Sequence, residues 1–464
     1  MTGPAQAEAP SWRDRGMQVC LAIALVLRVA YWRLTPEWTF APAALRWPDE
    51  RLYYTLSRAI ADEGLGFFLS DDRSTWVGNG NLIYLWLFRG SVLGPKVFNV
   101  FLSVVTVGLA YEVARRLSGS LLTARVAGAL AAVSPLLIEL SPTVLTEPPA
   151  AFTLALWLYA SLRSLEGGSR RRWNVIGGLA LGIGTLFRPT YLLLAPSTAA
   201  AILLWRRLQY GSWSSAAVRV MAWQTLVVFL ICFPFMAKNR HLHAGFSVAN
   251  GFGTAMFLGA RGDTLGDEPP LMRKTYDTDK VCPGVHLSTQ CDRILMARAR
   301  ELIREAPLRY IANIPAKVFR LWIGNHLAYF FPGAGVVSGS RFHPAHTVAW
   351  GMLRVLHATV LVVFSVLAVV WPGALRSEQR TLAALAVAYI TSIHALSFAI
   401  PRYSYSFAPI LAALAADGIS RTMPSSSLLE NTSATLLALR RVCWFTVVVI
   451  AAAVALGWEV PQGG

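Results

Sequence analysis

Asp49 and Glu50 stand side by side in Trp47-Pro48-Asp49-Glu50, and Glu147 stands in Leu145-Thr146-Glu147-Pro148-Pro149. In both places Pro suits the first turn of a helix, and an acid suits its positive end. A carboxylate so placed can take the proton of an attacking hydroxyl. It can equally do no more than cap its helix, and neither motif alone decides between the two. Glu139 is a further acid to which its neighbours assign no role. Cations occur in Phe187-Arg188-Pro189, Lys238-Asn239-Arg240 and Pro401-Arg402-Tyr403, the last with His394 two turns earlier. Arg makes paired hydrogen bonds with phosphate oxygens, although a cation near an apolar stretch can also simply reach for the membrane surface. Acids beside cations suit displacement of a phosphate leaving group by a hydroxyl. One acid activates the nucleophile, and the cations stabilise the charge growing on the phosphate. Arg188, Lys238, Arg240, Arg402 and Tyr403 are the candidates to hold that phosphate. Gly-rich phosphate loops of the Rossmann or P-loop kind are absent, which fits a donor that is not a nucleotide.

The elements that position these residues follow from composition. Of 464 residues 55% are hydrophobic and only 14% charged, against about 25% charged in a soluble globular chain. A bilayer explains the deficit, and the same composition excludes disorder. Apolar stretches recur at roughly 17–34, 93–114, 121–139, 146–163, 173–187, 189–206, 218–236, 347–371, 381–399, 403–420 and 440–458. Each approaches the ~20 residues a helix needs to cross the hydrocarbon. The expected fold is therefore all-α: one polytopic bundle of about eleven transmembrane helices spanning residues 1–464. The net charge of +17 lies largely in short basic runs between the stretches, such as Arg115-Arg116, Arg170 to Arg172 and Arg206-Arg207. That pattern reads as positive-inside topology and not as a nucleic-acid surface. It places the N-terminus in the cytoplasm and two long loops, 35–92 and 237–346, on the outer face. The first apolar stretch is long and has no cleavage pattern after it, so no signal peptide is expected.

Within the outer loops, Tyr53, Leu56 and Ile60 share one face of a segment 48–63 that Gly64 stops, as in a helix lying on the membrane. Segment 291–306 also reads as helical, segment 308–330 adds Tyr310, Trp322 and Tyr329, residue types that sit at headgroup level, and 81–93 reads as interfacial or re-entrant. Cys282 and Cys291 share the second loop, where an oxidising compartment permits a disulfide; their spacing has no metal-site form. Cys20, Cys232 and Cys443 read as small buried hydrophobes.

The order of these pieces resembles the GT-C membrane glycosyltransferases, in particular the group of protein O-mannosyltransferases and lipid A aminoarabinose transferases. The matching motifs are Pro48-Asp49-Glu50, Thr146-Glu147, Phe187-Arg188-Pro189, Lys238-Asn239-Arg240 with Asn250-Gly251-Phe252-Gly253, Glu305-Ala306-Pro307 with Tyr310 and Lys317, and Pro401-Arg402-Tyr403 with Pro409. The likeness covers about residues 15–420. It implies a GT-C-like bundle with periplasmic juxtamembrane helices, Asp49 as the catalytic carboxylate, and Glu50 and Glu147 supporting it. It further implies a polyprenyl-phosphate sugar as donor, inversion at the anomeric centre, and no metal or other cofactor.

The expectation is an inverting glycosyltransferase of the bacterial inner membrane with its site facing the periplasm. It would transfer a sugar to a hydroxyl of a lipid, glycan or protein. A lipid-linked sugar flippase is the alternative from another class, and a glycan polymerase or ligase shares the donor type. Charges at one membrane face and the lack of a clear internal repeat favour the enzyme over the flippase.

Overall fold

The computed structural model describes residues 13–35, 40–42, 45, 47–166, 170–213, 215–261, 281–282, 288–323, 344–371 and 377–422. Among them the chain is helical and has no strand. In chain order the first helices are α1 (Arg15–Leu34), α2 (Pro48–Glu63), α3 (Leu65–Ser70), α4 (Asn79–Leu87), α5 (Leu93–Ser118) and α6 (Leu121–Ala132). Then come α7 (Pro135–Glu139), α8 (Glu147–Leu165), α9 (Arg170–Phe187), α10 (Leu194–Tyr210), α11 (Ala216–His241) and α12 (Phe252–Ala260). The last are α13 (Thr289–Glu305), α14 (Pro307–Ala312), α15 (Ile314–Trp322), α16 (Pro344–Val370), α17 (Glu378–Leu396) and α18 (Ala408–Thr422). Short 3₁₀ turns at Asp72–Thr75, Pro189–Tyr191 and Pro401–Phe407 complete the set.

Ten of the eleven apolar stretches carry one of these helices, and the eleventh, 440–458, lies outside the described residues. Three stretches are interrupted. The stretch 121–139 breaks at Ser134, whose hydroxyl caps α7 and whose follower, Pro135, cannot continue α6. The stretches 189–206 and 403–420 each begin as a 3₁₀ turn headed by proline at 189 or 401, and turn into α-helix a few residues later.

By length and composition four described helices can cross a membrane: Arg15–Leu34, Leu93–Ser118, Ala216–His241 and Ala349–Val370. Several others are shorter or less apolar because protein, not lipid, surrounds them. Residues Ala408 to Gly418 of α18 are buried throughout, and α18 packs on α5, α6 and α16. Most of α8 is buried against α5 and α9. Such positions can hold polar groups if these are paired. Trp157 donates to Gln224 Oε1 at 2.8 Å, and Gln224 Nε2 donates to Ser161 Oγ at 3.0 Å, tying α8 to α11 inside the bundle.

Chain direction alternates between the two ends of the bundle. One end is laced by ion pairs: Asp14–Arg125 at 2.6 Å, Arg206–Glu378 at 2.7 Å, Arg421–Asp417 at 2.9 Å, and Arg116 with Glu166. The Arg125 guanidinium holds the Asp14 carboxyl well below the usual range. The other end carries α2 to α4, α12 to α15 and the turn Pro401–Phe407.

Candidate active site

Pro48 opens α2, and Glu50 anchors it. Glu50 is fully buried. One of its oxygens accepts from Trp47 N at 3.1 Å and the other from Val144 N at 2.6 Å. The first contact closes a capping box on α2, and the second staples α2 to the turn ahead of α8. Glu50 is thus a structural tie, and Asp49 beside it is left facing the mouth of the bundle.

Glu147 is the first residue of α8, with 1% of its side chain exposed. A buried carboxylate there needs partners. Arg188, one residue past the end of α9, brings Nη2 to 2.5 Å from Glu147 Oε1. Arg402, on the turn Pro401–Phe407, brings Nε to 2.9 Å from the same oxygen. The Nη2 of Arg402 then pairs with Asp49 Oδ2. Four residues from four segments therefore form one chain: Asp49, Arg402, Glu147, Arg188. Burial works against the charge of Arg402, but Glu147 and then Asp49 outweigh it and hold its pKa well above the ordinary value.

An aromatic ring backs Arg188. The guanidinium of Arg188 lies 5.0 Å from the centre of the Tyr403 ring. Tyr403 stacks on His394 at 4.8 Å between centroids, and His394 Nδ1 lies 3.0 Å from Phe398 O. Tyr53 of α2 joins the group electrostatically: burial first, then the charge of Asp49, pushes its hydroxyl pKa up, so it stays protonated.

Exposure separates the two acids. The side chain of Asp49 is 38% exposed against 1% for Glu147. Asp49 also has Oδ1 outside the ion pair with Arg402. Asp49 can meet a reactant, whereas Glu147 is occupied in holding two guanidinium groups.

The structure does not bring every candidate here. Lys238 donates to Ser74 Oγ at 3.0 Å and Asn79 Oδ1 at 2.8 Å, with Phe68 4.0 Å below it. Its charge serves the packing of α11 on the first loop, and its partners lie about 160 positions away in sequence, out of reach of local reading. Arg240 is exposed beside it. Glu139 pairs with Arg354 at 3.2 Å inside the bundle. Cys282 and Cys291 are joined, with Cα atoms 5.5 Å apart. In the segment expected to be interfacial or re-entrant, 81–93, the structure has the end of the short helix Asn79–Leu87, whose first residues are buried and whose Trp86 and Leu87 are exposed. Among the described residues no three metal-ligating side chains gather.

Sequence reasoning missed Arg28. It is fully buried in α1, donates Nε to Ser103 Oγ at 2.8 Å and Nη1 to Ala132 O at 3.1 Å, and so caps the end of α6. A lone Arg inside an apolar span was the available signal, since it must find a buried partner.

Residues 83–237 match the family model described as dolichyl-phosphate-mannose-protein mannosyltransferase. The match contains Glu147 and Arg188 and ends before Arg402. Among solved structures the chain is similar to the oligosaccharyltransferase AglB of Archaeoglobus fulgidus in complex with an inhibitory peptide and a dolichol-phosphate. The identity is 15% and the TM-score 0.50, over 97% of this chain and 56% of that one. The apo form of that oligosaccharyltransferase gives 15% identity and a TM-score of 0.51 over the same shares. ArnT of Cupriavidus metallidurans bound to undecaprenyl phosphate matches at 14% identity and a TM-score of 0.38, over 89% of this chain and 79% of that one. No curated protein sequence matches the chain. The chain thus spans little more than half the length of the oligosaccharyltransferase whose fold it shares.

Proposed function

Starting from a chain with the GT-C fold of membrane glycosyltransferases, we propose that it transfers one sugar from a polyprenyl-phosphate carrier to a hydroxyl group, with inversion at the anomeric carbon. The acceptor hydroxyl belongs to a lipid, a glycan or a protein. The setting is a bacterial inner membrane, with the site on the periplasmic face. The observation that supports this most is the chain Asp49–Arg402–Glu147–Arg188 at one end of the bundle.

The roles follow from exposure and pairing. Asp49 takes the proton of the acceptor hydroxyl as its oxygen attacks the anomeric carbon. The bond from that carbon to the phosphate oxygen breaks on the opposite face, and its electron pair leaves with the phosphate. Arg402 and Arg188 stabilise the charge that develops there. Glu147 positions both guanidinium groups. Glu50 holds α2 so that Asp49 meets Arg402.

The test uses purified protein in liposomes with native lipid extract and a panel of radiolabelled polyprenyl-phosphate sugars. Wild type is expected to place label on a new product, and Asp49→Asn to do so about 10²- to 10⁴-fold more slowly at equal expression. Full activity in Asp49→Asn removes Asp49 from the chemistry. Label protected inside the vesicles without transfer establishes a flippase instead, and label on a whole chain establishes a polymerase or ligase.

A further inference from the structure

Arg188 has few polar contacts for a cation so enclosed. Among the described residues its head makes one hydrogen bond, from Nη2 to Glu147 Oε1 at 2.5 Å, and Nε finds no acceptor. A single contact leaves the guanidinium able to turn about it, whereas a paired one would set its plane. Packing must then set that plane, and the face of the Tyr403 ring, 5.0 Å away, is what the guanidinium lies on. Tyr403 directly follows Arg402 on the turn Pro401–Phe407, so a fixed ring also fixes the backbone beside the second cation.

The ring in turn needs a fixed plane. His394, buried near the end of α17, stacks on it with centroids 4.8 Å apart and an interplanar angle of 29°. Phe398 meets the same ring edge-on, at 6.4 Å and 80°. His394 is itself locked, because its Nδ1 lies 3.0 Å from Phe398 O. A carbonyl oxygen only accepts, so Nδ1 carries a proton and donates it. Phe398 packs with Leu258 of α12 and Ile400 in an apolar cluster that Tyr403 joins. Contacts thus run unbroken from Phe398 through His394 and Tyr403 to Arg188, and His394 lies within electrostatic reach of that Arg. A helix end that needed only to be tied to Phe398 O would use the donor and not the ring.

We propose that His394 is a positioning residue for the transfer: its ring fixes Tyr403, and Tyr403 fixes the guanidinium plane of Arg188. This rests on the transferase reading above. His394 touches neither reactant and acts through Tyr403 alone. The charge that Arg188 meets grows only as the bond to the sugar breaks. A misaligned guanidinium therefore lowers kcat and leaves KM nearly as it was.

The experiment measures kcat, KM for the polyprenyl-phosphate sugar and melting temperature, on the full chain in liposomes. It compares wild type, His394→Phe and His394→Asn, each alone and together with Tyr403→Leu. His394→Phe keeps a flat ring and loses the donor, whereas His394→Asn keeps a donor and loses the ring. His394→Phe is expected to melt lower, since Phe398 O loses its partner, and to keep kcat within about twofold. His394→Asn is expected to lower kcat about tenfold and to change KM by less than about twofold. With Tyr403→Leu in place the two variants should share one kcat. Wild-type kcat in His394→Asn, equal losses in both variants, or a difference that survives Tyr403→Leu overturns the role of His394 alone. Absence of transfer by wild type from every donor overturns the transferase reading, and the role of His394 with it.

Discussion

In the proposed mechanism Glu147 holds the two guanidinium groups while Asp49 meets the acceptor, and substitutions separate these parts. Glu147→Gln keeps shape but leaves Arg188 and Arg402 short of a counter-charge in a buried place. Breaking a buried pair costs about 3–5 kcal/mol, so a clear drop in melting temperature is expected together with loss of transfer. Asp49→Asn, at an exposed position, is expected to lose transfer with little change in melting temperature. Paired thermal unfolding and transfer assays read the contrast, and equal stability in both variants would refute the division. Arg402→Lys tests the bridge. Nε of Arg402 reaches Glu147 while its Nη2 reaches Asp49, and an ammonium on a shorter head cannot span both in the same way. Loss of one charge-assisted contact, about 1.5–3 kcal/mol, corresponds to a rate roughly 10- to 100-fold lower. The order of motifs along the chain was enough to put Asp49, Glu147, Arg188 and Arg402 on one list with Glu50, Lys238, Arg240 and Tyr403, because each sits where a helix meets the same end of the bundle. It was not enough to separate Arg188, which meets Glu147, from Lys238, which does not. Local sequence says which end of a helix a residue occupies, whereas rotation about the helix axis, set by distant partners such as Ser74 and Asn79, says what the side chain meets.

Elements place these residues through close backbone contact. A Cβ added at Gly78 would lie 2.3 Å from Leu186 O and 2.9 Å from Phe187 O. Gly78 therefore lets the start of α4 press on the last turn of α9, immediately before Arg188. Likewise, a Cβ at Gly259 would lie 1.9 Å from Ser397 O, so α12 touches the segment between His394 and Arg402 without room for a side chain. Gly78→Ala is expected to force these backbones apart at a cost of about 1–3 kcal/mol and to shift Arg188 from Glu147. A lower melting temperature with reduced transfer is the expected result, and unchanged values in both would show that α4 does not set the position of Arg188. At this scale most of the helices were legible, because apolar length is a strong signal for a bilayer. The breaks at Ser134 and at Pro401–Phe407 were less so. An apolar run reads the same whether it continues or turns, and the turn at Pro401 is what swings Arg402 toward Asp49.

The whole molecule has two unlike ends, and its disulfide can report which one faces outward. Cys282 and Cys291 lie in the connection between α11 and α16, at the same end of the bundle as Asp49 and Arg402. Disulfides persist in oxidising compartments and not in the cytosol. The opposite end holds Arg116, Arg125, Arg206 and Arg421, each paired with an acid, as a cytoplasmic face rich in Arg would. Charge and redox chemistry are separate physical routes by which the proposed orientation can be tested. Cells quenched in acid, then denatured and alkylated, are expected to show Cys282 and Cys291 protected from the reagent until reductant is added, whereas Cys20 and Cys232 are alkylated at once. Two alkylated cysteines at 282 and 291 without reductant would put this end in the cytosol. Donor delivery, acceptor class and the role of the basic end would then have to be assigned to the other side. The bond joins cysteines 9 positions apart, and both pack in the apolar cluster that α12 and α13 share. Closing a loop of that size contributes about 2–3 kcal/mol in the chain-entropy picture. Cys282→Ser with Cys291→Ser is accordingly expected to lower the melting temperature by a few degrees. Transfer should be retained, because neither sulfur touches the chain of residues from Asp49 to Arg188.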